Sequence, residues 1–298
     1  MAKKPEETVI PMSRFRRGGA AEVVPEIGAA PPPPQADAVR ELAMKPPPDL
    51  TGKPKIWCLL SSNSGGKTTL ARWLVHRRAE TGCDPLILAA LDPGNRSLAT
   101  WFSGVEQPPN RDTRTTARWL RDSLDYLVAD KLSAVLDFGG GGETALAALL
   151  KDQPDLADRI ADEGTALVAC YPLTPRVDDI FVAAGLEAAG FRPSAAMLLL
   201  NEGKADPALP PADVFDPVIR HSAFRAIVAR GAQVVWMPAL DSEVMDEINL
   251  KGLPFAMARD GRVPDGAAFS PIGGLRRSAV GRWLAMMELR HERVRTWL

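Results

Sequence analysis

Residues 61–70, SSNSGGKTTL, have the residue types of a phosphate-binding loop. A lysine between glycines and threonines can bring its ammonium group to the β- and γ-phosphates of a nucleotide, and the first threonine hydroxyl can coordinate Mg²⁺. The usual pattern, G-x-x-x-x-G-K-[ST], begins with glycine where this chain has Ser61. We therefore predict a variant loop in which Gly65, Gly66, Lys67 and Thr68 contact a nucleotide.

The elements on either side of this loop favour the same interpretation. The apolar run KIWCLL precedes it, and the segment TTLARWLVHRRAE follows it with Leu70, Trp73 and Leu74 on one helical face. A loop between a strand and a helix directs backbone N–H groups and the positive end of the helix dipole at one point. The context therefore predicts an anion site rather than a plain strand–turn–helix.

Two aspartates lie at the ends of later apolar runs. Asp92 follows PLILAA by two positions, and Asp137 is the last residue but one of SAVLDF. One carboxylate can hold Mg²⁺ through water while the other lies near the attacking water. Asp92 has the alternative role of forming the turn in Asp-Pro-Gly. The DFG triplet that begins at Asp137 does not indicate a protein kinase, because the sequence has no H-R-D-type loop.

The apolar runs also predict the fold class. Near-continuous apolar runs that alternate with amphipathic helices are typical of strands buried on both faces of a parallel sheet. We predict a single α/β P-loop NTPase domain over residues 54–298, with a mostly parallel, twisted sheet flanked by helices. The predicted strands are 55–60, 85–90, 133–138, 165–171, 195–200 and 233–237.

Residues 1–53 differ from the rest of the chain in composition. They contain PPPP at 31–34 and PPP at 46–48 but few large apolar residues. Such a segment cannot bury enough surface to offset its chain entropy, so we predict a disordered, Pro-rich tail. Its basic stretch SRFRRGG is either a solvated part of the tail or a docking motif for an unknown protein partner or a polyanion.

Bulk composition excludes several classes of protein. The formal net charge is −1, so binding to nucleic acid or membrane would need a local basic patch. The three cysteines and three histidines are too scattered for a disulfide framework or a histidine metal cluster. No apolar run approaches the ~20 residues that span a bilayer, and no signal peptide begins the chain. We expect a cytoplasmic protein.

The order of SGGKTT, ALDPGNRSLATWF, AVLDFGG and LLLNEGK resembles the deviant P-loop ATPases of the ParA/MinD type over about residues 57–257. Members of that family partition plasmids and chromosomes or position cargo. The resemblance implies ATP and Mg²⁺ as cofactors and a homodimer that forms on ATP. It adds Ser64 and Thr69 to the nucleotide-binding loop.

The same resemblance implies roles for later residues. It assigns Asp92, with Lys67, to catalysis through the hydrolytic water, and Asp137, with Thr68, to the metal. Asn201 matches the asparagine that reads adenine, and an amide offers the donor and acceptor that the adenine edge requires. A turn-forming role is the alternative for Asn201.

Three departures from the family pattern make this a variant of the signature motif. Ser62 stands where the family has its signature lysine, Ala90 replaces the first aspartate of D-x-D, and Gly139-Gly140 replaces a proline pair. A lost charge-assisted phosphate contact is worth roughly 1.5–3 kcal/mol, which would weaken dimerisation unless another cation such as Arg96 substitutes. We expect ATP binding with slow hydrolysis or none.

The C-terminal segment, about residues 276–298, predicts a basic amphipathic helix. Its apolar stripe consists of Val280, Trp283, Leu284, Met287, Val294 and Leu298, and its arginines are Arg276, Arg277, Arg282, Arg290, Arg293 and Arg295. The helix either packs on the sheet, binds nonspecific DNA through its arginines, or lies on a membrane surface. The charges that interrupt the stripe favour DNA over lipid.

Three functions remain open at this stage. The first is a ParA-like ATPase that acts in plasmid or DNA partitioning, mobilisation or cargo positioning. The second is a MinD-like, membrane-associated regulator of a secretion or surface-assembly system. The third is a metabolic ATP-dependent ligase on the same fold, and no further cluster of catalytic side chains supports it.

Overall fold

The computed structural model of the chain describes residues 39, 41–61, 65–94, 97–139 and 141–298. Several positions in the predictions lie outside the described residues. They are Ser62, Ser64, Arg96, Gly140 and the stretch 1–38, which includes SRFRRGG.

Six parallel strands form one sheet in the order β2-β3-β1-β4-β5-β6. The strands are β1 (Lys55–Leu60), β2 (Ile87–Ala90), β3 (Ala134–Phe138), β4 (Ala166–Leu173), β5 (Ala195–Asn201) and β6 (Gln233–Met237). Each lies within or close to a predicted apolar run. The predicted α/β class with a mostly parallel sheet is confirmed, and every pairing among the described strands is parallel.

Helices cover both faces of this sheet, which explains why the strands are apolar at nearly every position. On β1, Ile56, Cys58 and Leu60 join the core on one face, and Trp57 and Leu59 join the core on the other. The helices are α1 (Lys67–Glu80), α2 (Thr113–Ala129), α3 (Gly142–Asp152), α4 (Leu156–Asp162), α5 (Ile180–Ala188), α6 (Pro211–Arg220), α7 (Ser222–Arg230), α8 (Ser242–Leu250), α9 (Phe255–Asp260) and α10 (Gly274–His291).

The division of helices between the faces positions the site. Helices α2 to α7 pack on one face, whereas α1, α8, α9 and α10 pack on the other. Helix α1, which follows β1, therefore covers the opposite face from α3 and α5, which follow the neighbouring strands β3 and β4. In open α/β sheets, a crevice forms at such a point outside the carboxyl ends of the strands, where ligands bind.

The predicted tail, residues 1–53, is too long, because residues 41–53 pack on the domain. The Leu50 side chain is only 3% exposed. Trp297 Nε1 donates to the Pro48 carbonyl oxygen over 2.8 Å, and Gln233 Nε2 donates to the Lys45 carbonyl oxygen over 2.9 Å. The Pro-rich composition predicted disorder, but a proline keeps its carbonyl acceptor, and that of Pro48 is used here.

Within the described residues, no helix combines the length and apolarity that crossing a membrane requires.

Candidate nucleotide-binding site

The phosphate loop joins β1 to α1, as the sequence predicted. Gly66 caps the helix with φ 109, in the region that favours glycine. A Cβ atom on Gly66 would lie 2.4 Å from Asn201 Nδ2, and one on Gly65 would lie 2.7 Å from the Pro172 carbonyl oxygen. Both glycines are therefore needed for the close approach of the loop to the ends of β4 and β5.

Lys67 is the first residue of α1, and its ammonium group lies against its own loop. Lys67 Nζ donates to the Ser61 carbonyl oxygen over 2.8 Å and to Ser61 Oγ over 3.3 Å. Burial lowers the pKa of Lys67, and the nearby Asp137 carboxylate opposes that shift. Ser61, which replaces the usual first glycine, thus adds a hydroxyl acceptor for the lysine.

Gly66, the N-cap residue of α1, has no side chain with which to cap the helix. The first N–H groups of a helix have no partner within the helix, so the start of a helix favours an anion.

Asp137, in β3, is the buried carboxylate of the site. Its side chain is 3% exposed, and Oδ1 has no hydrogen-bond partner within the described part of the chain. Burial raises the pKa of Asp137 to about 6, Lys67 opposes the shift, and Asp92 adds to it. A buried oxygen without a donor is costly unless a ligand or cation satisfies it.

A cavity of about 670 Å³ opens above these residues, at the carboxyl edge of the sheet. This volume lies in the range of about 300–1,000 Å³ that is typical of small-molecule sites. Its wall contains the predicted residues Gly65, Gly66, Lys67, Thr68, Thr69, Asp137 and Asn201. The fold thus gathers most of the predicted site, although those residues come from distant parts of the chain.

Asp92 lies outside this cavity, among the residues that line a neighbouring cavity of about 120 Å³. Asp92 Oδ1 accepts hydrogen bonds from Gly94 N at 2.9 Å and from Arg111 Nε at 3.1 Å. The bond from Gly94 N is the one expected if Asp92 forms the turn in Asp-Pro-Gly, and the contact with Arg111 adds an ion pair. The catalytic role of Asp92 remains a prediction.

Asn201 has both ends of its amide engaged within the protein. Nδ2 donates to the Gly65 carbonyl oxygen over 2.8 Å, and Oδ1 accepts from Gly203 N over 3.0 Å. In this arrangement the amide fastens the phosphate loop to the end of β5. To read adenine, Asn201 would have to exchange these bonds, so that role also remains a prediction.

Two helices contribute to the wall in ways that the sequence did not reveal. Helix α8 supplies Met245, Asp246 and Asn249, and α10 supplies Trp283. No local motif marks these positions; Trp283 was predicted only as part of an apolar stripe.

Arg72 of α1 supports the wall of α8. Its Nη1 donates to Asn249 Oδ1 over 2.9 Å, and its guanidinium carbon lies 3.4 Å from the Trp101 ring centroid and 4.4 Å from that of Phe255. Burial lowers the pKa of Arg72 to about 9. Stacking between two aromatic rings partly compensates for the lost hydration of the guanidinium group.

The C-terminal segment packs on the sheet. The apolar stripe is buried at Val280, Trp283, Leu284, Met287 and Val294. Most of its arginines have partners within the chain. Arg276 pairs with Glu243 and Glu247, Arg290 with Glu202, Arg293 with Gln233, and Arg295 with Glu292.

Comparisons with known proteins give no family assignment. No family model and no curated protein matches the sequence. Among solved structures, the cell division protein FtsY from Thermotoga maritima is similar at 13% identity and a TM-score of 0.43, over 83% of this chain and 74% of that chain. FtsY from Mycoplasma mycoides is similar at 14% identity and a TM-score of 0.38, over 65% of this chain and 62% of that chain.

The class of protein is defined by features of this chain itself. A glycine-lysine-threonine loop joins the central strand β1 to α1, and a cavity with a buried carboxylate lies above it. Together they define a P-loop nucleotide-binding fold built on an all-parallel sheet.

Proposed function

We propose that the protein is an ATP-binding, slowly hydrolysing switch of the ParA-like type, which acts in DNA partitioning, mobilisation or cargo positioning. The observation that carries nucleotide binding is the meeting of Lys67, the start of α1 and an Asp137 oxygen that has no hydrogen-bond partner among the described residues, all in one cavity. The motif order supports the ParA-like type and, with it, ATP rather than GTP.

The residues of the site fit Mg²⁺. Mg²⁺ is usually held by one or two carboxylates together with substrate phosphates, rather than by an all-protein cage. The described residues contain no group of three His, Cys, Asp or Glu side chains that could hold a metal. Thr68 and Asp137 would hold Mg²⁺, which would neutralise charge on the nucleotide phosphates when bound.

Groups of the chain itself would bind the phosphates and set the rate of hydrolysis. Backbone N–H groups of the loop and of α1 bind the phosphates, and Lys67 exchanges its bonds to Ser61 for bonds to phosphate oxygens. Hydrolysis is slow in this proposal because the carboxylate expected near the attacking water, Asp92, is tied to Gly94 and Arg111.

The test is equilibrium binding of labelled ATP and GTP, with and without Mg²⁺, to wild type and Lys67→Ala. We expect binding that Mg²⁺ strengthens and that Lys67→Ala weakens about tenfold to a hundredfold, because charge-assisted hydrogen bonds are lost. Lys151→Ala, an exposed lysine on α3, is the matched control. If Lys67→Ala bound nucleotide as tightly as Lys151→Ala does, the proposed site would be overturned. Tighter binding of GTP than of ATP would overturn the choice of ATP.

Duplex DNA is the matrix that we propose for this switch. Arg277 and Arg282 are exposed and form no ion pair with any described residue. With two phosphate contacts, ATP-dependent DNA binding should show a log–log salt slope of about −2, rather than about −5 for six contacts. Co-sedimentation with DNA over a salt series measures this slope. Binding that is absent, or independent of nucleotide, would contradict the proposal.

A further inference from the structure

One buried ion pair connects the C-terminal helix to a turn that borders the nucleotide cavity. Arg290 Nη1, near the end of α10, contacts Glu202 Oε1, and the two side chains are 9% and 8% exposed. Glu202 directly follows Asn201 and begins the short 3₁₀ turn Glu202–Lys204. The pair therefore acts at the point where β5 reaches the cavity.

This turn is bonded to the phosphate loop through Asn201. Gly203 N donates to Asn201 Oδ1, and Asn201 Nδ2 donates to the Gly65 carbonyl oxygen. Gly203 and Lys204 also line the cavity. A change in the orientation of the turn would therefore move the Asn201 amide and, with it, the support of the loop.

The ion pair suits positioning better than it suits stability. Burial raises the pKa of Glu202, and Arg290 opposes the shift, so the carboxylate depends on its guanidinium partner. Arg290 Nε is buried without a hydrogen-bond partner among the described residues. Buried, incompletely satisfied pairs contribute little net stability, although loss of one partner leaves the other charge uncompensated.

A second arginine of the same segment provides a natural comparison. Arg293 Nη2 donates to the Lys45 carbonyl oxygen over 3.2 Å, and Arg293 Nε donates to Gln233 Oε1. It therefore holds the segment at the start of β6. The start of β6 lies at the amino ends of the strands, whereas the cavity lies at their carboxyl ends. Both Arg290 and Arg293 bond the C-terminal segment to the rest of the domain, but Arg290 does so at Glu202, in the turn whose Gly203 and Lys204 line the cavity.

We propose that Arg290 is a positioning residue for nucleotide binding, which acts through Glu202 to fix the turn 202–204 and the hold of Asn201 on the phosphate loop. This inference rests on the proposed nucleotide-binding function. It gives the C-terminal helix a role inside the nucleotide site in addition to its packing.

The first arm of the test uses the full-length protein without nucleotide. Hydrogen–deuterium exchange is compared for wild type, Arg290→Met, Glu202→Gln and Arg293→Met. We expect the Gly203 amide to exchange about fivefold faster in the first two variants, because its acceptor Asn201 is no longer fixed. Arg293→Met should accelerate exchange in residues 41–53 and leave Gly203 unchanged. Equal exchange at Gly203 in all four proteins would overturn the proposal.

The second arm measures ATP and GTP affinity of the same proteins. We expect Arg290→Met to weaken binding about tenfold, Arg290→Lys to restore most of it, and Arg293→Met to change it less than threefold. The double variant Glu202→Gln/Arg290→Met should lose less than the sum of the two single losses, because the residues act through one contact. Additive losses, or an equal loss in Arg293→Met, would overturn the proposal.

The two arms separate this inference from the proposed function. If wild type binds neither nucleotide, the proposed function fails, and the exchange arm still decides whether Arg290 fixes the turn. If wild type binds nucleotide and Arg290→Met binds it equally well, only the role of Arg290 fails. Glu202→Gln keeps the side-chain volume, so the test stands even if Arg290→Met does not fold.

Discussion

At the scale of single residues, the site keeps two charged groups buried. Lys67 is 7% exposed and Asp137 is 3% exposed. Burial acts against the charged form of each, and their mutual attraction does not cancel it. A cavity whose ionised groups are incompletely compensated is destabilised before the ligand binds, which is a common feature of functional sites.

Asp137→Asn should stabilise the ligand-free protein at pH 8. The folded-state pKa of Asp137 is raised from 3.8 to about 6, so the folded state binds more protons between these values. The ionised carboxylate therefore destabilises the fold above pH 6, by at most about 3 kcal/mol, and this penalty disappears below about pH 4. Calorimetric Tm values at pH 8 and pH 4 measure the difference.

The matched control for this prediction is Asp152→Asn, an exposed carboxylate at the end of α3. It should change Tm little at either pH. Asp137→Asn should also abolish the strengthening of nucleotide binding by Mg²⁺. A lower Tm for Asp137→Asn at pH 8 would show that the carboxylate stabilises the ligand-free site.

Gly66→Ala should abolish nucleotide binding. The new Cβ would lie 2.4 Å from Asn201 Nδ2, so either the loop or the amide must move. Gly164→Ala is the matched control, because Gly164 also has a positive φ, 78°, but open space around its Cα. Gly164→Ala should cost about 1–2 kcal/mol of stability, since a left-handed residue is strained, and Gly66→Ala should cost more because of its additional close contact. Nucleotide titration should separate them; unimpaired binding by Gly66→Ala would contradict the close contact between the loop and the amide.

At the scale of elements, the two ends of the described chain stabilise each other. Leu50 N donates to Thr296 Oγ1 over 3.3 Å, and Trp57 Nε1, in β1, donates to the Trp297 carbonyl oxygen over 2.9 Å. These bonds lie beside the core cluster that contains Leu50, Val294 and Trp297. The segment 41–53 is thus a structural part of the domain.

Leu50→Ala should lower the free energy of unfolding by about 2–4 kcal/mol, because it leaves a cavity in a packed core. Leu250→Ala is the control, since Leu250 is 88% exposed, and it should change stability by less than about 0.5 kcal/mol. Urea unfolding of both variants measures the difference. A small effect of Leu50→Ala would show that residues 41–53 do not stabilise the domain and belong to the predicted tail.

At the scale of the whole molecule, stability depends on pH through buried groups that work in opposite directions. His291 is fully buried beside Trp73, with ring centroids 4.5 Å apart. Burial lowers the pKa of His291 to about 4. Acidification therefore destabilises the fold through His291, while it relieves the cost of the ionised Asp137.

His291→Gln should flatten the loss of stability on acidification. The unfolded state, with a histidine pKa near 6.5, binds more protons than the folded state between about pH 4 and 6.5. His291 alone should then remove about 2 kcal/mol of stability between pH 7.5 and pH 5. Urea unfolding at both pH values compares wild type with His291→Gln, and His221→Gln serves as the control. Parallel pH profiles for wild type and His291→Gln would contradict this assignment.

Local sequence pattern was enough to predict the strands, the fold class and the phosphate loop. The run KIWCLL is apolar at every position after Lys55 because β1 is covered on both faces, so the lack of polar alternation reflects burial on both sides. Lys67, Thr68 and Asp137 were predicted from the residue types that follow β1 and end β3, because the carboxyl ends of parallel strands share one edge. These inferences need only local pattern and one rule of topology.

Tertiary packing was needed to learn which distant groups meet. The contact of Arg290 with Glu202 spans 88 residues, and that of Trp297 with Pro48 spans 249. The packing also showed that Asn201 binds the loop and that Asp92 lies outside the cavity. A local pattern specifies on which face of its own helix or strand a side chain lies. The partner it meets depends on where the chain returns, and that is set by the packing of all the elements together.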